Sequence, residues 1–136
     1  MTRINKTAPV LRVADVSRSI AWHERVLGFK ADCFPDTPPY DFAILKRDGA
    51  EIMLQRVSPP EQAGPLSRES WSVYVRLSGE RILELHEQVK GGTAVLASPW
   101  RRFYCDVEFE IAEPDGHRLC LGEVLPDTVR LPSPPE

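Results

Sequence analysis

The side chains able to do chemistry in this chain are few, and their spacing suits holding a molecule more than transforming one. His23 and His86 fall in two helix-like stretches and His117 follows a turn, so the three histidines have no common ligand spacing. His23 reads as a packing or hydrogen-bonding residue, His86 as partly exposed and His117 as a turn-flanking structural residue. Cys33, Cys105 and Cys120 are odd in number, with no C-x-x-C and no close histidine, which fits reduced thiols. Cys120 has no base near it in sequence, no Ser-His-Asp pattern stands out, and no glycine-rich loop is present to cradle a phosphate. What remains is a set of charged, aromatic and soft side chains recurring every second residue in strand-like segments. Alternation puts Val10, Arg12, Met53, Gln55, Ser72, Tyr74, Arg76, Glu108, Glu110, Arg118 and Cys120 on one face. Leu11, Ile52, Leu54, Val73, Val75, Phe109, Ile111, Leu119 and Leu121 fall on the other. The first face mixes both charge signs with a hydroxyl-bearing ring. Together with Trp100 and Tyr104 it suits an amphipathic small molecule held by stacking and oriented by a few polar groups. The same Arg12, Arg76, Glu108 and Glu110 equally fit plain ion pairing across a wet groove or a dimer seam.

The elements that would position these residues occur twice. Ala8 to Val13 reads as a strand, and Asp15 or Ser17 can cap a helix whose apolar positions Val16, Ile20, His23 and Leu27 lead to a left-handed exit at Gly28. A strand starting at Phe29, then Asp41 to Arg47 and Glu51 to Val57 around Asp48-Gly49, complete the first set. The second set is Ser70 to Leu77, a helix over Glu80 to Lys90 with Ile82, Leu85 and Val89 inward, a short strand Thr93 to Ala97, then Tyr104 to Ala112 and His117 to Glu123 around Asp115-Gly116. The order β-α-β-β-β recurs in nearly one register, so the sequence predicts an α+β fold of two βαβββ modules whose curved mixed sheets form a groove. The predicted organisation is one domain over 8–124, with modules 8–57 and 70–124 and a Pro-rich linker at 58–69. A Pro-rich tail at 125–136 is expected to be poorly ordered unless a partner covers it. Residues 34–41 (F-P-D-T-P-P-Y-D) read as a surface loop able to overhang a pocket.

Composition narrows the function classes. At 136 residues, 42% hydrophobic and 27% charged, the chain can bury a core without disulfides or a structural metal. A net charge of −3 with Lys and Arg scattered among acids offers no basic stripe, so nucleic acid is not an expected partner. No segment has the length of an apolar membrane span and no secretory pattern follows Met1, so no membrane partner is expected and the expected location is cytoplasmic.

Two motifs carry a family resemblance. D-V-S-R-S-I-A-W-H-E-R-V-L-G-F (15–29) resembles the signature D-x-x-x-S-x-x-F/W-Y-x-x-x-L-G-F, and E-F-E-I-A-E-P-D-G-H-R-L-C-L-G-E (108–123) resembles a closing D-P-D-G-x-x-L/I hairpin with Glu113 in place of Asp. Both belong to the vicinal oxygen chelate superfamily, which includes glyoxalase I, extradiol dioxygenases and the fosfomycin and bleomycin resistance proteins. The resemblance spans nearly all of 8–124 and implies the glyoxalase/bleomycin resistance-like fold. It also implies four metal-ligand positions, which fall here on Ala8, Met53, Ser72 and Cys120. An alanine, a thioether, a hydroxyl and one thiol do not make a site for a hard or borderline divalent ion, so no metal and no other cofactor is expected. S-W-S-V-Y-V-R-L (70–77) is similar to the corresponding strand of the bleomycin resistance protein, which sequesters a drug without metal. By that likeness the expected function is binding of an aromatic or amphipathic toxin or antibiotic by Arg12, Met53, Gln55, Ser72, Tyr74, Arg76, Trp100, Tyr104, Glu108, Glu110 and Cys120, with no catalytic residue. Arg12, Arg76, Arg101 and Arg102 argue against a bulky cationic glycopeptide as the guest. The alternatives are a divalent-metal glyoxalase-type lyase or isomerase, or a dioxygenase, with atypical ligands, and a purely dimerising scaffold. The family's habit and the 58–69 linker favour a homodimer.

Overall fold

Apolar residues alternate along the strands, carboxylates cap the start of both helices, and a left-handed glycine ends the first. A computed structural model describes residues 1–104 and 106–132; Cys105 and residues 133–136 lie outside the described residues. The chain order is β1 (Val10–Val13), α1 (Val16–Leu27), β2 (Lys30–Phe34), β3 (Phe42–Arg47), β4 (Ala50–Arg56), β5 (Val73–Arg76), α2 (Ile82–Val89), β6 (Ala94–Arg101), β7 (Asp106–Ala112) and β8 (Arg118–Val124). β1 to β4 form one sheet in the order β1-β4-β3-β2 and β5 to β8 form another in the order β5-β8-β7-β6, so the duplicated order in sequence is a duplicated topology. In each sheet the first strand runs parallel to the last and every other pair is antiparallel.

The first unit comprises residues Met1–Ser67 with Pro114–His117. Asp15, of the two predicted caps, starts α1: its side chain accepts from the Arg18 N–H at 3.1 Å. Gly28 ends the helix at φ 69°, and Arg47 Nη1 donates to the Leu27 carbonyl at 2.6 Å. The apolar stripe Val16, Ile20, Val26 and Leu27 packs with Leu11, Val13, Ala43, Leu45, Ile52 and Leu54 into a fully buried core. Asp48 at φ 51° and Gly49 form the two-residue turn that sets Arg47 opposite Ala50. β1 begins two residues later than predicted, leaving Ala8 and Pro9 outside it; the proline has no N–H to offer a ladder, although its carbonyl accepts from Met53 N–H.

The second unit comprises Arg68–Glu113 with Arg118–Glu136. Its core is Val73, Ile82, Val89, Val107, Phe109, Ile111, Leu119 and Leu121. α2 lacks a local side-chain cap, and Glu123 on β8 replaces one: its carboxylate accepts from the backbone N–H groups of Glu80, Arg81 and Ile82. Three sequence expectations are corrected here. β6 runs on to Arg101 instead of stopping at Ala97, because the second of two register shifts against β7, between Ala97 and Trp100, absorbs Ser98-Pro99 at the sheet edge. His86 is buried, its ring edge-on to Phe109 at 5.2 Å, while Leu85 is only half-buried. The tail is tied down at its start: Leu125 is buried and Arg101 donates to the carbonyls of Leu125, Pro126 and Val129.

His23 is fully buried, flanked by the rings of Trp22 and Phe29, with Nδ1 donating to the Ser19 carbonyl at 2.8 Å. Burial, reinforced by His117 and opposed by the Ser19 bond, lowers its pKa from 6.5 to about 4. The folded state therefore favours the neutral ring, and the unfolded chain takes up the proton first as pH falls. Its contribution is complete above pH 6.5 and is lost between there and about pH 4, a change of about 3 kcal/mol. Urea melts of the native chain and of His23→Leu across this range should show the native chain losing stability more steeply on acidification. Parallel slopes would refute the assignment.

Candidate functional site

The strands of the second unit divide their side chains cleanly between helix and open face. Opposite the apolar layer on α2, pairing aligns Tyr74 with Cys120 and Cys120 with Glu110, then Arg76 with Gly122, Gly122 with Glu108, and Glu108 with Trp100. Seven sequence-predicted positions, Tyr74, Arg76, Trp100, Tyr104, Glu108, Glu110 and Cys120, thus gather on or beside one face, with Ser72 at its edge donating its backbone N–H to Arg118 O at 2.8 Å.

Tyr74 is the centre of the arrangement. Its hydroxyl lies 2.9 Å from Asp106 Oδ2 and 2.7 Å from Glu108 Oε2, and one proton serves only one acceptor at a time. The Tyr104 hydroxyl also donates to Glu108 Oε2, Arg76 Nη1 pairs with Asp106 Oδ2, and Arg102 Nε stands 3.5 Å from Glu108 Oε1. Arg118 Nη1 lies 3.4 Å from Glu110 Oε1. Burial first, and the neighbouring carboxylates next, push the Tyr74 hydroxyl far up, so it keeps its proton; the Tyr104 hydroxyl shifts the same way for the same reasons. The Cys120 thiol is pushed far up by burial and then by Glu108. Aromatic rings border this floor. Trp71 lies 5.2 Å from the Tyr74 ring, Phe103 4.9 Å from Tyr104, and the Arg102 guanidinium sits 4.2 Å from the Trp100 centroid.

Tyr74 reaches the two acids only because residue 122 is glycine. A Cβ there would lie 1.9 Å from the Tyr74 hydroxyl oxygen and 2.6 Å from Cζ, so the phenol occupies the space any other side chain would fill. Asp106, Trp71 and Gly122 are the members that sequence reasoning missed, and Arg102 reads there only as a nearby charge. Asp106 shares the alternation of Glu108 and was available from it; Gly122 carries no side chain to signal its role.

Arg12, Met53 and Gln55 lie in the first unit, on the sheet face away from α1, where pairing aligns Val10, Met53 and Ile44, and Arg12, Gln55 and Phe42. Arg12 also serves through its backbone: its carbonyl accepts from Gly64 N–H at 3.0 Å and lies 2.9 Å from His117 Nε2. In the same unit Pro38, Pro39 and Tyr40 of the proline-rich loop line an open hollow of about 530 Å3 with Ala14 to Ser17 and Arg56.

The family's metal does not fit these donors. Ala8 has no side-chain donor and precedes β1, Met53 and Ser72 are poor ligands for a divalent ion, and Cys120 alone would be a single thiol donor. Among the described residues no three His, Cys, Asp or Glu side chains are grouped to hold an ion.

Comparison with known proteins gives a consistent placement. A model of the Glyoxalase/Bleomycin resistance protein/Dioxygenase superfamily matches residues 3–121. Among solved structures, a glyoxalase-related enzyme from Clostridium phytofermentans is similar with a TM-score of 0.72 and 18% identity, over 91% of this chain and 98% of that one. TioX from Micromonospora sp. ML1 gives 0.68 and 17%, over 88% and 98%. A glyoxalase/bleomycin resistance protein/dioxygenase from Nocardioides gives 0.68 and 18%, over 100% and 92%. No curated protein matches in sequence.

Gly122→Ala should displace the Tyr74 ring and strip donors from buried carboxylates, costing about 2 kcal/mol on the usual scale for an unsatisfied buried polar group. In a Tyr74→Ala background the same substitution should cost markedly less, because nothing remains to collide with. Equal penalties in the two backgrounds, read from denaturant melts, would rule out the steric account.

Proposed function

Since the chain belongs to the glyoxalase/bleomycin resistance protein/dioxygenase superfamily, we propose that it acts as a metal-independent binding protein for a small aromatic or amphipathic molecule, such as a toxin or antibiotic. The open face of the β5-β8-β7-β6 sheet is the binding surface. The observation that carries this proposal is the combination on that face of exposed rings, Trp71, Trp100, Phe103 and Tyr104, with a floor in which the Tyr74 and Tyr104 hydroxyls are hydrogen-bonded to buried carboxylates. Rings give stacking area and the floor gives orientation. A nucleophile or general base needs a group poised to gain or lose a proton near neutral pH. Tyr74, Tyr104 and Cys120 are all pushed the other way. Sequestration needs no transition-state stabilisation. It lowers free toxin whenever the binder exceeds both the dissociation constant and the toxin concentration.

Titration of the full chain with a panel of aromatic antibiotics should give saturable quenching of Trp fluorescence for at least one compound, with the same affinity before and after EDTA treatment. Trp100→Ala should weaken that binding by roughly tenfold, the loss of about 1.4 kcal/mol of stacking. Absence of any response across the panel, or stoichiometric Zn, Ni, Mn or Fe in protein purified without chelator, would refute the proposal.

A further inference from the structure

The three ion pairs on the open face of the second unit are layered the same way. The Arg76 side chain is 59% exposed over Asp106 at 4%, that of Arg102 25% over Glu108 at 1%, and that of Arg118 27% over Glu110 at 12%. Although the acids equal the guanidinium groups in number, the carboxylates form the floor and the cations form the surface that a guest meets. We propose that the guest bound on this face is an aromatic anion: a planar ring bearing a carboxylate or sulfonate. The proposal rests on reading the face as a small-molecule site and adds the charge of the molecule.

The guanidinium groups are oriented before any guest arrives. Arg76 is held by Asp106 and lies 5.2 Å from the Tyr74 ring centroid, while Arg102 is stacked 4.2 Å from the Trp100 centroid and 5.6 Å from that of Tyr104. Fixed guanidinium groups present planar donor forks that match a carboxylate, and less freedom is lost when one docks. The neighbouring rings meet the apolar body of the same molecule. A cationic guest would meet like charge first, and the acids that attract it lie beneath their own arginines. Glu108 Oε1, buried and without a hydrogen-bond partner among the described residues, faces Arg102 Nε at 3.5 Å instead of solvent.

Isothermal titration of the native chain with 2-naphthoate, 2-naphthamide and 2-naphthylmethylammonium separates ring from charge. Naphthoate should bind about tenfold more tightly than the amide, a difference that shrinks at high salt, and the ammonium compound should bind least. Arg76→Gln with Arg118→Gln should remove most of the naphthoate advantage over the amide, and Arg76→Lys should keep only the part of it that charge without the planar fork supplies. Equal or tighter binding of the amide or the ammonium compound overturns the charge assignment and leaves the small-molecule site standing. Heat from none of the three overturns both. The comparison on the native chain decides even if the double variant fails to fold.

Discussion

A carboxylate taken out of water must be given donors, and the second unit is organised around two that sit two residues apart on β7. Asp106 and Glu108 are almost wholly buried, which is tolerated only because Tyr74, Tyr104, Arg76 and Arg102 converge on them from β5 and from the segment joining β6 to β7. That requirement propagates outward. β8 lies between the strands bearing Tyr74 and the acids, so the phenol must cross it, and β8 carries glycine at the crossing point. One strand further along the chain, Glu123 uses the same chemistry in the opposite sense, bringing a carboxylate to the three N–H groups at the start of α2.

Much of the fold could be read from local signals that act at short range. The α1 boundaries follow from Asp15 and Gly28, and the first hairpin from Asp48-Gly49, because caps and tight turns depend on a few adjacent residues. The misreadings arise where tertiary contacts choose between local options of similar merit. In I-L-E-L-H-E-Q-V, Ile82, Leu85 and Val89 make one acceptable stripe and Ile82, His86 and Val89 another; the Phe109 ring selects the second. Ser98-Pro99 reads as the end of a strand, yet an edge position with shifted register accommodates a missing N–H. The face carrying Tyr74, Glu108, Glu110 and Cys120 was legible because strand alternation is strict once register is fixed. Arg102 was legible only as a nearby charge, since it lies beyond β6 and its place against Glu108 depends on stacking with Trp100.

Family membership rests on different residues of this chain from those that would carry an activity. The β-α-β-β-β topology, occurring twice, is maintained by apolar residues facing the helices, whereas the chemistry depends on the alternate residues facing away. Replacing the latter leaves the former intact. Here the positions that the resemblance assigns to metal ligands carry an alanine, a thioether, a hydroxyl and a thiol, and the open face of the second unit carries paired ions and rings.

β6 is the outermost strand of its sheet, and it carries a proline, two slips of register and an arginine that fastens the following tail. A margin of this kind makes a poor template for an incoming chain, since its ladder groups are out of step and partly removed. Addition of further strands is thereby disfavoured at this edge of the sheet. Resistance to fibril-like stacking is thus built into the edge of a protein that must accumulate to high levels if it works by capture alone.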